Sequence, residues 1–402
     1  AEAETPFDLA RPFKLRSRLL KLADDDHLLL ITLHHVASDG WSLGVLTAEI
    51  GAHYAAAREG RDTDLPPLAC QYADFAAWQR GRLSGAALAR EIDHWRRTLD
   101  GFVPGEFPTD RPRPAEQRFE GAVVSRRLPA ALAVKVDAAA RRHKATPFII
   151  LLAAFNALLA RWSGEVDVSV GIPVANRTHP DLEALIGFFV NALVVRVPLD
   201  GDPTMDEIIT RSRAAATTAY DHQDLPFERL VAELAPERDP SRPPLFRIAF
   251  AVQNAPRGSV TLAGLELRPF TAEITRTRME MEWHVFERRD ETGAAAGLDL
   301  VVAHATALFD RATVDRLIDG FAVLLEAGLD RPETRLSALP VMTAAMERAV
   351  MTAGRGPAPE AIPAPDLSRV LAERLATDRV VLAEAGGPQL TGHQLQARVE
   401  RM

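Results

Sequence analysis

The sequence contains a single cysteine, Cys70, among its 402 residues. One cysteine excludes an internal disulfide and a metal site built from clustered cysteines, and it favours a reducing, cytoplasmic environment. Long apolar runs are also missing, since none reaches the roughly 18 residues that a membrane-spanning helix needs. The opening residues, AEAETPFDLA, lack the basic and apolar segments of a signal peptide. We therefore expect neither secretion nor a membrane partner.

An excess of positive charge is absent as well. The chain has 47 Lys and Arg residues against 55 Asp and Glu residues, a formal net charge of −8. A general nucleic-acid-binding surface needs clustered positive charge, so no nucleic-acid partner is expected. The chain is 47% hydrophobic and 25% charged, a composition typical of globular domains with a substantial core. Its length favours two or three domains.

Proline-rich segments divide the chain into several parts with an α/β pattern. Residues 1–103 contain two predicted strands around an Asp-rich turn, followed by helices that stop at glycines. Residues 104–117 hold four prolines and are predicted to link two lobes. Residues 118–350, the second lobe, mix predicted helices and strands. A second proline-rich linker, 351–366, leads to the start of another domain at 367–402.

The second lobe contains clear sequence signals for both helices and strands. Thr146 and Pro147 begin a predicted helix that ends at Gly164. Thr204 and Glu207 have the spacing of a capping box at the start of another helix. The segments VDVSVGIPVA and FFVNALVVRVPL are rich in Val, Ile and Phe and predict strands. These signals indicate a mixed sheet covered by helices.

The segment LLLITLHHVASDGWS, residues 28–42, carries the clearest functional signal. If the strand continues to His35, the rings of His34 and His35 point to opposite faces. Asp39 and Gly40 predict a turn with unusual dihedral angles, and a helix follows. Three interpretations compete: two hydrogen-bonded core histidines with an Asp that caps the helix, a metal site of both histidines and Asp39, or a catalytic base near a helix terminus.

Residues 34–40 match the His-His-x-x-x-Asp-Gly signature of condensation domains in non-ribosomal peptide synthetases. Four later segments resemble further motifs of that family, in the family's order: YADFAAW (72–78), IGFFVNALVVR (186–196), HQDLPFE (222–228) and RDPSRPPL (238–245). By this resemblance, which extends over about residues 1–350, the chain is identified as a member of the family. The family implies a two-lobed, V-shaped, chloramphenicol-acetyltransferase-like fold with the active site in a tunnel between the lobes.

The resemblance also implies roles for the residues of the signature. His35, the second histidine, corresponds to the catalytic residue, and His34 to a structural one. Asp39 is implied to be structural and held by an ion pair, and Gly40 to line the acceptor side of the tunnel. Ser38 and Trp41 are assigned to substrate binding, with Trp41 at the acceptor entrance.

Two residues of the later motif IGFFVNALVVR complete the expected site. Asn191 is implied to line the tunnel and to hydrogen-bond the substrate or an intermediate. Alternation along the strand makes Asn191 and Arg196 point apart. Arg196 is nevertheless the candidate ion-pair partner of Asp39, with a surface role as the alternative. No metal ligand is predicted.

The implied reaction is amide formation between two tethered substrates. An upstream carrier protein presents an acyl or peptidyl thioester, and a downstream carrier presents an aminoacyl thioester, each on a phosphopantetheine arm, so the domain itself binds no cofactor. A free imidazole with a pKa of about 6.5 is a weaker base than an α-amine at about 8, but an apolar tunnel favours the neutral amine. His35 is therefore expected to orient the amine and to accept its proton. The sequence does not determine how much each of these two roles contributes.

The two ends of the chain affect the expected completeness of the first lobe and the expected type of reaction. The family's two earliest motifs are absent from the 33 residues before His34, so we expect an incomplete first lobe with an uncovered sheet edge and low stability. The segment VVLAEAGGPQLTGHQLQARV resembles the start of an adenylation domain, an expected partner beside the two carriers. This continuation favours condensation over epimerisation or a stand-alone acyltransferase, and the intact histidine pair argues against a catalytically silent recruiting platform.

Overall fold

The computed structural model describes residues 2, 5–235, 239–253, 262, 264–268, 270, 276–355, 371, 373–383, 389–399 and 401. Arg238 of the last motif and most of the predicted second linker lie outside the described residues. The chain divides into two compact units, Ala1–Thr343 and Ala344–Met402. The first unit includes the segments predicted as two lobes and the linker between them. The second unit begins at Ala344, a few residues before the predicted end of the second lobe.

A hairpin and three helices open the first unit. β1 (Leu15–Lys21) pairs antiparallel with β2 (His27–Leu33) around the acidic turn, which confirms the prediction. The helices are α1 (Gly40–Glu59), α2 (Tyr72–Arg82) and α3 (Gly85–Thr98). α1 ends at Gly60, whose φ of 69° lies in the left-handed region that glycine adopts without a steric penalty.

A six-stranded mixed sheet forms the centre of the rest of this unit. Its strands are β3 (Gly121–Leu128), β4 (Asp167–Val174), β5 (Asn191–Pro198), β6 (Ile248–Val252), β7 (Met281–Arg289) and β8 (Ala295–Ala305). The spatial order is β3-β8-β7-β6-β4-β5. β6 runs parallel to both of its neighbours, and the other pairs are antiparallel. The predicted α/β class is confirmed, although residues 188–190, predicted as strand, have no regular structure.

Five helices pack against the sheet, namely α4 (Ala130–Arg142), α5 (Pro147–Ser163), α6 (Met205–Asp221), α7 (Phe227–Leu234) and α8 (Arg311–Asp330). α5 is the centre of the core, since twelve successive residues of it are buried. Its Phe155 ring lies 4.7 Å from that of Phe250 in β6 and 5.0 Å from that of Trp283 in β7. The predicted cap at Thr146 and the capping box at Thr204 are both present.

The proline-rich segment 104–117 is bound to the second half of the unit along its length. Phe107 is buried, and its ring stacks on that of Trp162 at 5.3 Å. Glu106 forms an ion pair of 2.7 Å with the buried Arg247. The segment therefore contributes to the core as well as connecting the parts on either side.

The second unit contains α9 (Ala344–Gly354), an antiparallel pair formed by β9 (Val380–Ala383) and β10 (Gln389–Thr391), and α10 (Gly392–Val399). α9 extends into the segment 351–366 that the sequence predicts to be a linker. Among the described residues no single helix has the length and apolar character to cross a membrane. α4 and α5 have that length and apolar character only when taken together, and they form a pair bent by 106°.

Candidate functional site

The histidine pair lies in a tight turn between β2 and α1. β2 ends at Leu33, and His35–Ala37 form one turn of 3-10 helix with His34 as its N-cap. The prediction that the strand extends to His35 is therefore wrong. The physical reason is local, because the Ala37 N–H donates to the His34 carbonyl at 3.0 Å and turns the backbone away from the sheet.

His35 presents one ring nitrogen in a fixed orientation. Its Nδ1 lies 2.8 Å from the Ser38 carbonyl oxygen. Because a carbonyl only accepts, Nδ1 carries the proton, and the lone pair of the neutral ring is on Nε2. The ring meets the Phe188 ring edge-on, with centroids 4.9 Å apart and planes at 72°. His35 is exposed, so its Nε2 is accessible to a ligand.

His34 has a separate environment. Its Nδ1 accepts a hydrogen bond from the Val36 N–H at 3.0 Å, and its ring lies edge-on to that of Phe7 at 5.9 Å. These contacts hold the turn and agree with the structural role that the resemblance implies. In the part of the chain that the structure describes, no three His, Cys, Asp or Glu side chains converge as a set of metal ligands.

Asp39 is buried and accepts several hydrogen bonds as the N-cap of α1. Its Oδ1 accepts from the Ser42 N–H at 2.8 Å and the Ser42 hydroxyl at 2.7 Å, and its Oδ2 accepts from the Phe189 N–H at 3.1 Å. Burial alone raises the pKa of the Asp39 carboxyl. The hydrogen bonds from Ser42, the charge of Arg177 and the Phe189 N–H outweigh it and hold the pKa below its usual value. Asp39 is thus a charged structural residue at neutral pH.

The ion-pair partner of Asp39 is Arg177, and the predicted partner, Arg196, is wrong. Arg177 Nη2 lies 3.2 Å from Asp39 Oδ1, and the two side chains are only 2% and 3% exposed. Arg196 instead pairs with Asp167 at 2.7 Å. Arg196 lies five residues along β5 from Asn191, at the far end of that strand, whereas Arg177 follows the end of β4 that pairs with the start of β5. A cation directly after a buried strand was the only sequence signal for Arg177.

Ser42 and Tyr72, which the sequence did not assign to the site, hold the loop 187–189 beside it. The Ser42 hydroxyl accepts from the Gly187 N–H at 3.1 Å, and the Tyr72 hydroxyl donates to the Phe188 carbonyl at 2.8 Å. A Cβ at position 187 would lie 2.3 Å from the Tyr72 ring, so only glycine fits there. This loop carries Phe188, and it therefore fixes the aromatic contact of His35.

Asn191 is buried, and its amide is fully used by the protein. Its Nδ2 donates to the carbonyls of Gln223 and Leu225, both at 2.8 Å. Its Oδ1 accepts from the N–H groups of Ala192 and Phe227, both at 2.9 Å. Both donors and both acceptor positions are occupied, so no donor remains for a substrate, contrary to the prediction. Asn191 instead fixes the loop between α6 and α7.

The same loop is held from α3. His222 Nδ1 lies 2.8 Å from Glu91 Oε2, and its ring stacks on that of His94 with centroids 3.4 Å apart. Burial lowers the pKa of His94, and the adjacent His222 lowers it further. These contacts make His222 a structural histidine.

Three predicted residues remain next to the histidine turn. Ser38 is buried and supplies the carbonyl that binds His35. Gly40 is the exposed first residue of α1 with no positive φ, so the predicted unusual dihedral angles are wrong, but nothing lies within 4 Å of a Cβ placed there. Trp41 Nε1 donates to the Glu183 carbonyl at 2.9 Å. Substrate contacts of these residues stay predictions.

The mixed sheet, the helices behind it and the histidine turn define a protein of the chloramphenicol-acetyltransferase-like class, as predicted. The family model for the condensation domain matches residues 1–351, and the chain belongs to that family. It is 40% identical over 328 residues to malpibaldin synthetase of Mortierella alpina. That alignment covers 81% of this chain but only 6% of the much longer relative.

Solved structures show the same relationship. The X-domain from teicoplanin biosynthesis is 29% identical with a TM-score of 0.79, over 85% of this chain and 77% of that one. The X-domain in its complex with OxyB is similar at 29% identity and a TM-score of 0.78, over 85% and 75% of the two chains. The predicted family and the predicted α/β, chloramphenicol-acetyltransferase-like fold are thereby confirmed.

Proposed function

We propose that this domain forms an amide bond between two carrier-bound substrates. The observation that carries the proposal is the His35 ring, which is fixed by the Ser38 carbonyl with its Nε2 open to a ligand. The upstream carrier holds the acyl or peptidyl thioester and the downstream carrier the aminoacyl thioester, both on phosphopantetheine. The adjacent adenylation domain, whose start we assign to residues 367–402, selects the amino acid for the downstream carrier in the cytoplasm.

In this reaction the amine nitrogen attacks the thioester carbonyl, a C–N bond forms, and the C–S bond breaks with release of the donor thiol. The amine gives up one proton, which His35 Nε2 accepts and returns to the leaving thiolate. In the described part of the chain, no carboxylate lies within ion-pair distance of His35, whose Nδ1 faces only the Ser38 carbonyl. That hydrogen bond strengthens when the ring is charged, because charge-assisted hydrogen bonds are stronger than neutral ones.

His35 also orients the neutral amine against the carbonyl, where proximity of two tethered reactants supplies much of the acceleration. Asp39 and Arg177 contribute indirectly, since they fix the start of α1 and the loop that carries Phe188.

The experiment is mass spectrometry of both carriers after incubation with the protein, each carrier loaded with the amino acid that its own adenylation domain selects. We expect the donor mass to move to the acceptor carrier. His35→Ala should slow this transfer by about 10²- to 10⁴-fold, the usual contribution of general acid–base catalysis. His53→Ala, at an exposed histidine of α1 outside the site, is the matched control and should retain the activity.

A second candidate function is supported by the relative that binds OxyB, namely a platform that recruits another protein. If both carriers stay loaded and the acceptor mass never changes, the condensation proposal fails. Chiral analysis of the donor then separates epimerisation, which inverts its α-carbon, from a recruiting platform, which leaves it unchanged.

A further inference from the structure

A cavity of about 430 Å³ lies on the face of the six-stranded sheet opposite α5. Along β7, Met281 and Trp283 point into the core and are at most 1% exposed, so the alternate residues Glu282 and His284 lie on the other face. The cavity is lined there by these two polar residues, by Thr277 and the cations Arg276 and Arg278, and by the apolar residues Phe119, Val123, Val301 and Ala303. A mostly apolar cavity with a few convergent polar groups is the usual form of a ligand site.

The Glu282 carboxylate is held so that one oxygen remains for a ligand. Its Oε1 accepts from the Thr277 hydroxyl at 3.0 Å and from the Arg278 N–H at 3.1 Å. Thr277 is only 4% exposed, so this support is rigid. The side chain of Glu282 is 18% exposed, and its Oε2 lies towards His284.

The His284 ring is fixed in a complementary way. Its Nδ1 lies 3.0 Å from Gln253 Nε2, which can only donate, so Nδ1 accepts and the proton of the neutral ring is on Nε2. Gln253 is itself anchored, since its N–H donates to the Val285 carbonyl at 2.8 Å. Burial lowers the pKa of His284, Glu282 opposes this effect and the charge of Arg278 adds to it, so the ring is neutral at pH 7.

The Glu282 Oε2 and His284 Nε2 atoms are too far apart to form a hydrogen bond with each other. Glu282 Oε2 and His284 Nε2 are separated by 3.9 Å, beyond hydrogen-bond distance. One oxygen at about 2.8 Å from both would bridge them at an angle of about 90°, accepting from His284 and donating to Glu282. A hydroxyl does both, whereas an ammonium cannot accept and a carbonyl cannot donate.

We propose that this cavity binds the hydroxyl-bearing side chain of an acyl or aminoacyl group, with Glu282 and His284 as its specificity-determining residues. The assignment to a substrate rests on the proposed condensation function, and it makes that reaction selective for a hydroxylated building block. The apolar residues contact the carbon chain, and the polar pair recognises the hydroxyl. A bound ligand that lacks the hydroxyl excludes water from both polar atoms without replacing the hydrogen bonds that water makes.

The test measures binding without carriers or turnover, so its failure is distinguishable from failure of the condensation proposal. The probes are pairs of N-propylamides that differ by one hydroxyl: threonine and 2-aminobutyrate, tyrosine and phenylalanine, 3-hydroxyoctanoate and octanoate. Calorimetry gives each dissociation constant, and NMR of ¹⁵N-histidine-labelled protein reports on the His284 ring. We expect the hydroxylated member of at least one pair to bind about tenfold more tightly and to shift the His284 Nε2 signal.

His284→Phe keeps a ring but removes the donor, and it should bring that ratio close to one. Glu282→Gln is the second variant, because it replaces the accepting oxygen pair with an amide, and it should also lower the ratio. His53→Phe is the control and should leave the ratio unchanged. The proposal is overturned if both members of every pair bind equally or not at all at millimolar concentration, if the His284 signal does not move, or if the ratio survives in both variants.

Discussion

Replacement of Arg177 by Met should destabilise the first unit strongly, because it leaves a buried charge without its partner. The Asp39 and Arg177 side chains are only 3% and 2% exposed. Breaking a buried pair by removing one partner lowers the free energy of unfolding by about 3–5 kcal/mol. Arg177 also donates to the carbonyls of Leu182 and Leu185, so the loop after β4 loses its support as well.

The assay is urea unfolding at pH 7 of a double-mutant cycle with Asp39→Asn. Since the two side chains contact each other, we expect a coupling of about 2 kcal/mol or more between the two changes. Arg196→Met is the matched control. Arg196 pairs with Asp167, so its effect should add to that of Asp39→Asn to within about 0.5 kcal/mol. The reasoning is refuted if Arg177→Met costs less than about 1 kcal/mol or if Arg196, and not Arg177, couples to Asp39.

The pH dependence of the stability difference between Arg177→Met and the wild type tests the same ion pair independently. In the wild-type protein the pKa of Asp39 is lower in the folded state, so its contribution to stability is complete above the unfolded pKa of about 3.9 and is lost as the pH falls through the folded value. Arg177→Met removes one of the groups that lower the pKa of Asp39, so the folded pKa of this carboxyl should be higher in the variant than in the wild type, although the hydrogen bonds from Ser42 and Phe189 remain. The difference in stability between variant and wild type should then shrink as the pH falls through the folded pKa of the variant.

Other contacts give predictions of the same kind. Asn191→Leu should lower the free energy of unfolding by about 2–4 kcal/mol, since it leaves several loop backbone groups unpaired, and it should speed hydrogen exchange of the Phe227 amide. Tyr72→Phe should cost about 1 kcal/mol in urea unfolding and shift the His35 ring signals in NMR, because the loop that carries Phe188 loses a hydrogen bond. His222→Asn should raise the pKa of His94, followed by its ring proton shifts, since the stacked imidazole is removed while the burial remains.

Local signals in the sequence predicted the regular elements well. The cap at Thr146, the capping box at Thr204 and the glycine after α1 act within a few residues, so they are readable from the chain alone. The motif order also identified the family. The histidine pair was misplaced on a strand because an apolar run continues up to it, and the hydrogen bonds of the 3-10 turn leave no periodic pattern.

Partners distant in sequence were not predictable in the same way. Arg177 is 138 residues from Asp39, and Arg196 was an equally plausible cation until the register of β4 and β5 placed it at the wrong end. The family resemblance implied that Asn191 lines the tunnel and hydrogen-bonds a substrate. The backbone of residues 223–227, which fills its hydrogen-bonding capacity, becomes adjacent only through tertiary packing.

The long separation between the histidine turn and its supports also determines when that turn can form on the ribosome. The Asp39 carboxylate requires Arg177 and the Phe189 N–H, which are 138 and 150 residues further along the chain. At about 5–20 residues per second, 150 residues take roughly 8–30 s to synthesise. A nascent chain therefore carries His35 well before the turn around it is fixed, and the geometry of the histidine turn is a late product of translation.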